Sequence, residues 1–134
     1  MAVRYHLYNN FFQDVVMTYD RATGMIRLRE LENGNAYQMW VLNRVENDRP
    51  EYKIQNIGNN MFLTAERTGP HVTTQPAIAL DDTTNTWIFP ERDGNAFNFT
   101  STITQDAGRK DLLSSGDFLV TGENGQAWRF VVVA

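Results

Sequence analysis

The chain has 134 residues, 42% hydrophobic and 21% charged, with a net charge of −4 and a pI near 5.1. That length suits a single domain, residues 1–134, with a sizeable core. The composition excludes a disordered chain, and the acidic balance argues against general nucleic-acid or anionic-membrane binding. Cysteine is absent, which excludes disulfides, thiolate metal sites and cysteine nucleophiles.

The first stretch, MAVRYHLYNN, has no apolar core of a secretion signal, and no later stretch is long and apolar enough to span a bilayer. A cytoplasmic protein is the expectation. Within it VRYHLYN alternates: Val3, Tyr5 and Leu7 face one way, Arg4, His6 and Tyr8 the other. That is the period of a half-buried strand. NNFF at 9–12 reads as a hairpin turn. One of its phenylalanines can fold into the bottom of a barrel, and an exposed one would mark a contact surface. DVVMTY and MIRLREL follow as short strands, although MIRLRELE also has a helical stripe. The cluster LENGNA then turns the chain into YQMW.

The same order returns twice. EYKIQ is a strand with Tyr52 and Ile54 inward; IGNN is a turn; MFLTA is a strand. The loop ERTGPHVTTQP at 66–76 leads through Asp81-Asp82 to NTWIFPERD. AFNFT puts Phe97 and Phe99 inward, and TQDAGRKD at 104–111 is an inserted loop. FLVT, the turn GENGQ and WRFVVV complete the chain.

Sliding Trp40 onto Trp87 aligns Tyr5 with Tyr52, Leu7 with Ile54 and Asn9 with Asn56. It also aligns Val15-Val16 with Phe62-Leu63, Met25 with Val72, and Val41-Leu42 with Ile88-Phe89. A third copy needs gaps: Phe97 and Phe99 stand for Tyr52 and Ile54, Leu112-Leu113 for Phe62-Leu63, and Trp128 for Trp87. The copies run over about 3–45, 50–93 and 95–134, each a supersecondary unit of about four strands. Three such units have an economical solution: six strands close a barrel and three hairpins cap it, leaving no open edge. The tryptophans then become core, one per unit, with Tyr5, Tyr52 and Phe97 at matching positions.

Three repeats ending in YQMW, TNTW and GQAW resemble the ricin B-type β-trefoil, an all-β fold with pseudo-threefold symmetry. A chain without cysteine looks most like the cytosolic β-trefoils of fungi, the mushroom lectins and the mycocypin-type protease inhibitors. The lectin resemblance implies defence as a role, glycans or glycoproteins of galactose type as partners, and a possible homodimer. It implies no cofactor, no metal and no catalysis. In the family an Asp near the start of a repeat's second strand accepts bonds from sugar hydroxyls. An aromatic ring stacks on the sugar, and an Asn beside the Q-x-W glutamine completes the site. Repeat 1 matches with Asp14 and Gln38, but has Tyr37 for the Asn and Leu28 near the platform position. Repeat 2 has Met61 for the acid, with Thr84 and Asn85 at its end; repeat 3 has Asp111 and Gln126, with Gly125 for the Asn. The carbohydrate-binding set implied is therefore Asp14, Tyr19, Asn33, Asn35, Tyr37 and Gln38. Gln38 would brace the floor or donate to a hydroxyl, and Tyr19, Tyr37 or Phe12 would be the platform.

Other groups carry less. His6 and His71 have no partners at metal-ligand spacing, and His6 points outward by alternation. Asp81-Asp82 and Glu30/Glu32 read as solvated turn acids rather than a glycosidase pair. Ser101, Ser114 and Ser115 sit in no nucleophile elbow. NFT at 98–100 matches a glycosylation sequon but reads as strand. The alternative to a lectin is an inhibitor that inserts a loop into a protease cleft, through Arg67 in the loop 66–76 or through Arg109-Lys110. A trefoil that only binds another protein is the third possibility.

Overall fold

The computed structural model describes residues 2–45, 50–66, 69–75, 83–93, 96–103 and 110–133. The described chain is all-β. In chain order the strands are β1 (Tyr5–Asn9), β2 (Val15–Asp20), β3 (Met25–Glu30), β4 (Trp40–Arg44), β5 (Tyr52–Asn56), β6 (Phe62–Ala65) and β7 (Val72–Gln75). They continue as β8 (Trp87–Ile88), β9 (Glu91–Asp93), β10 (Ala96–Phe97), β11 (Thr100–Ser101), β12 (Asp111–Ser115), β13 (Phe118–Gly122) and β14 (Trp128–Val132). Single 3-10 turns, Ala36–Gln38 and Thr83–Asn85, precede β4 and β8. MIRLREL is strand, its Ile26 and Leu28 buried in alternation. No helix of the described residues is long and apolar enough to cross a membrane.

The barrel closes through antiparallel pairs. β1 pairs with β4, β4 with β5, β5 with β8, β8 with β11, β10 with β14, and β14 with β1. β8 and β9 are two halves of one barrel strand, as are β10 and β11. The interruption follows from Pro90, which has no N–H for the ladder; Asn98 N–H still donates to Pro90 O at 2.8 Å. Three hairpins, β2–β3, β6–β7 and β12–β13, cap one end. They join in a triangle through Met25 opposite Thr73, Phe118 opposite Arg27 and His71 opposite Val120. The tight turn of β12–β13 needs Gly116, whose φ of 64° lies in the left-handed region.

The tryptophans are core. Trp40, Trp87 and Trp128 are fully buried, with Tyr5, Tyr52 and Phe97 as their cross-strand partners. Each indole N–H donates to a main-chain carbonyl on the hairpin above: Trp40 to Met17 at 2.9 Å, Trp87 to Leu63 at 3.0 Å, Trp128 to Leu112 at 3.3 Å. This corrects the alignment of the hairpins by one residue. Met17, not Val16, is the counterpart of Leu63, and Leu112, not Leu113, follows it. Val16 and Met17 are both fully buried, so apolar class alone could not set that register.

Two further expectations change. Neither phenylalanine of NNFF enters the barrel: Phe11 is 74% and Phe12 45% exposed, packed edge-to-face on each other. Asn9 Oδ1 accepts from both their backbone N–H groups at 2.8 Å, and that turn projects the rings outward. His6 is half-buried rather than fully solvated, and its Nε2 is buried with no hydrogen-bond partner. Desolvation holds its pKa below the ordinary 6.5. Asp81-Asp82, Arg67 and Arg109 lie outside the described residues.

Candidate functional site

The end of β2 and the 3-10 turn before β4 face each other across repeat 1. Between them lies an open cavity of about 490 Å³, lined by Thr18, Tyr19, Asp20, Arg21, Ala22, Arg29, Glu32, Asn35 and Tyr37. Asn35 shapes one wall. It caps the 3-10 turn by accepting from Tyr37 N–H at 3.0 Å, and its amide donates to Glu32 Oε1 at 3.5 Å. The opposite wall is the β2–β3 turn, held by Asp20. That carboxylate accepts from Ala22 N–H at 3.0 Å, Thr23 Oγ1 at 3.1 Å and Arg27 Nη1 at 3.1 Å. These contacts, led by the Ala22 N–H, hold its pKa below the usual carboxylate value. Arg27 also pairs with Asp117 of the β12–β13 turn, and Arg29 lies 3.8 Å from Asp20 and 3.5 Å from Asp117. The network ties this wall to repeat 3.

The floor is Gln38, which is fully buried. Its Oε1 accepts from Glu32 N–H at 2.8 Å, and its amide donates to Glu30 O at 2.8 Å and Thr18 Oγ1 at 3.2 Å. It is the brace beneath the cleft; both ends of its side chain are engaged by protein. The Tyr37 ring is clamped. It stacks on Tyr19 with centroids 6.1 Å apart at 29°, and the Arg21 guanidinium lies 4.6 Å from its centroid. Gly58 abuts it so closely that a Cβ there would come within 2.5 Å of the ring. Tyr19 is half-buried as well.

Of the six residues expected in the site, the structure therefore gathers Tyr19, Asn35 and Tyr37 at the cleft and puts Gln38 under it. Asp14 and Asn33 are exposed and are not among the lining residues. Asp20, Arg21, Arg29 and Glu32 line the cleft without having been anticipated. The available signal was the segment DRATG after Tyr19: an Asp followed two residues later by a backbone N–H it can bind is a turn signature, and it fixes where Arg21 emerges. Chemically, the cleft offers a carboxylate, a guanidinium, an amide and an aromatic edge to a hydroxyl-rich ligand.

The residues that the sequence pattern sets at the site in the other repeats are structural. Asp111 is 2% exposed; Thr100 Oγ1 donates to it at 2.6 Å, Asn98 Nδ2 at 3.2 Å and Gly125 N–H at 3.4 Å. A Cβ on Gly125 would collide with Asp111, which is why glycine stands there. Gln126 Oε1 accepts from Asn9 Nδ2 and Ser114 N–H, both at 2.8 Å. Repeat 2 presents Met61, whose N–H is taken by Asn59 Oδ1 at 2.8 Å. Lys110, expected as a protease-directed cation, is 9% exposed. Its ammonium donates to Glu66 O at 3.1 Å and Gly69 O at 2.9 Å, so it pins one loop to another.

No family model matches the chain, and no curated protein matches it in sequence. Solved structures do match. The BEL β-trefoil superposes with a TM-score of 0.77 at 19% identity, over 98% of this chain and 93% of that one. SeviL bound to asialo-GM1 saccharide gives 0.74 at 15% identity, over 98% of both chains. The Polyporus squamosus lectin bound to the human-type influenza-binding epitope Neu5Acα2-6Galβ1-4GlcNAc gives 0.74 at 13% identity, over 96% of this chain and 48% of that one. At such identities the likeness is one of fold: the protein is a β-trefoil, and its similar structures include two solved with bound saccharides.

Proposed function

We propose that the protein is a non-catalytic lectin that binds galactose-type glycans in the repeat 1 cleft. The observation that supports this is the convergence of Tyr19, Asn35, Glu32 and Arg21 on one open cavity over the buried Gln38 brace, on a fold whose similar structures include a lectin bound to a sialylated galactoside. Tyr19 covers the apolar face of the sugar, with Tyr37 holding it in place. Asn35 and Glu32 meet hydroxyls from one wall and Arg21 from the other. Asp14 and Asn33 are reached only by a glycan that extends past the cleft.

A shallow site of this kind binds a single sugar weakly, on the order of millimolar, about 4 kcal/mol, and gains avidity only through multivalency. The test is titration of the protein with galactosides and other glycans, followed by NMR or calorimetry, for the parent, Tyr19→Ala, Arg21→Ala and Asp14→Ala. Loss of binding in Tyr19→Ala and Arg21→Ala, with Asp14→Ala close to the parent, is the expected pattern. Loss in Asp14→Ala alone moves the site to the β1–β2 turn, and binding of no glycan by the parent ends the lectin assignment.

A further inference from the structure

Among the described residues, the end of the barrel opposite the hairpin cap is closed incompletely. Six positions line it: Tyr5, Tyr52 and Phe97, opposite the tryptophans, and Leu42, Phe89 and Phe130, two residues beyond them. All six remain partly exposed. The rings form one continuous cluster. Phe130 lies 5.6 Å from Tyr5, 5.3 Å from Phe89 and 5.8 Å from Phe97, and Phe89 lies 5.1 Å from Tyr52. The buried Phe99 backs them, 4.8 Å from Phe89 and 5.3 Å from Phe130. Pro90 interrupts the barrel strand at this place, and a cavity of about 790 Å³ opens where the ladder is broken, walled by Tyr52, Ile88, Phe89, Pro90, Phe97 and Phe130.

We propose that this pocket is a second binding site, separate from the sugar cleft, for an uncharged aromatic molecule of about two fused rings. Its volume lies in the range of small-molecule sites, roughly 300–1,000 Å³. Rings that already meet edge-to-face and offset favour another ring over a flexible chain, because aromatic pairs gain from that geometry beyond area alone. Among the described lining residues the charged one is the acidic Glu51. A carboxylate, a sulfate or a cation would lose its hydration against this otherwise apolar wall. Trp87 and Trp128 stand opposite Tyr52 and Phe97, close enough to report occupancy by energy transfer.

The experiment titrates the full chain with N-phenyl-1-naphthylamine, an uncharged fluorophore built on two fused rings with a pendant phenyl, following probe emission and tryptophan quenching. Saturable binding to one site is expected, unchanged in Tyr19→Ala. Ile88→Trp fills the pocket and should weaken it at least tenfold with the circular dichroism spectrum unaltered. Phe97→Leu removes one ring, keeps the pocket open and should weaken it several-fold; it carries the comparison if Ile88→Trp does not fold. Unsaturable uptake, or parent-like binding in both folded variants, overturns the proposal. So does sedimentation showing a dimer that takes up no probe, because the mouth is then sealed by a second copy.

Discussion

Phe97 stands opposite Trp128 on the pair β10–β14, in the same relation that sets Tyr5 opposite Trp40 and Tyr52 opposite Trp87. The third copy has a shortened hairpin and a broken barrel strand, yet it preserves this pair and the indole bond to the hairpin carbonyl. The pair is the joint between barrel and cap in each repeat.

Removing one joint should therefore be costly and should act alike in all copies. Trp128→Ala, Trp87→Ala and Trp40→Ala should each lose about 3–5 kcal/mol in urea unfolding. Trp128→Phe should lose less, about 1 kcal/mol for the indole hydrogen bond on top of the lost volume, because Leu112 O still accepts from Gln126 N–H at 3.2 Å. A loss much smaller at Trp128 than at Trp40 would mean that the third copy is not held by this joint.

The barrel was legible because its signals are of period two and are repeated: Leu7, Ile54 and Phe99 are fully buried, as their alternation required. The hairpin register was not, since neighbouring apolar residues such as Val16 and Met17 are interchangeable by class and only the indole hydrogen bond tells them apart. The cleft was half legible. Tyr19, Tyr37 and Gln38 follow from repeat phase and the Q-x-W pattern, but spacing along the chain said nothing of side-chain direction. Asp14 sits on a turn whose course is set by Asn9, and Asp111, its counterpart by type, points into the protein to satisfy Asn98 and Thr100.

Asp111 should behave as a structural carboxyl. Asp111→Ala leaves Asn98 Nδ2, Thr100 Oγ1 and Gly125 N–H in a buried place without this acceptor, and should cost about 2–3 kcal/mol. Glycan binding at repeat 1 should be unchanged, since the residue does not line that cleft. Thermal unfolding beside glycan titration separates the two effects; a variant that melts like the parent but loses sugar would place a binding site in repeat 3.

Acid should weaken the fold through His6. Its folded pKa lies below the ordinary 6.5 because burial disfavours the charged ring, so the unfolded chain binds more protons in the interval between the two values. The contribution of the neutral ring is fully present above pH 6.5 and is lost as pH falls from there through the lowered folded value. Urea midpoints measured between pH 7.5 and pH 5 should fall in the parent and fall less in His6→Leu. A slope in His6→Leu equal to the parent's would mean that the proton is taken up elsewhere.

The brace and the wall of the cleft should separate by stability. Gln38 has no exposure, and its amide satisfies Glu32 N–H, Glu30 O and Thr18 Oγ1. Gln38→Met keeps the length but takes this partner from a part-buried N–H and a part-buried carbonyl, which should cost about 1–2 kcal/mol. Arg21 is exposed and lies over Tyr37 from the solvent side, so Arg21→Ala should stay within about 0.5 kcal/mol of the parent while weakening glycan binding. In Gln38→Met, binding should weaken as the cleft walls loosen, and added glycan should raise the melting temperature less than in the parent. If Gln38→Met binds glycans with the parent's affinity despite its lost stability, the wall carrying Glu32 and Asn35 does not touch the sugar, and the platform must lie on the outer side of Tyr19.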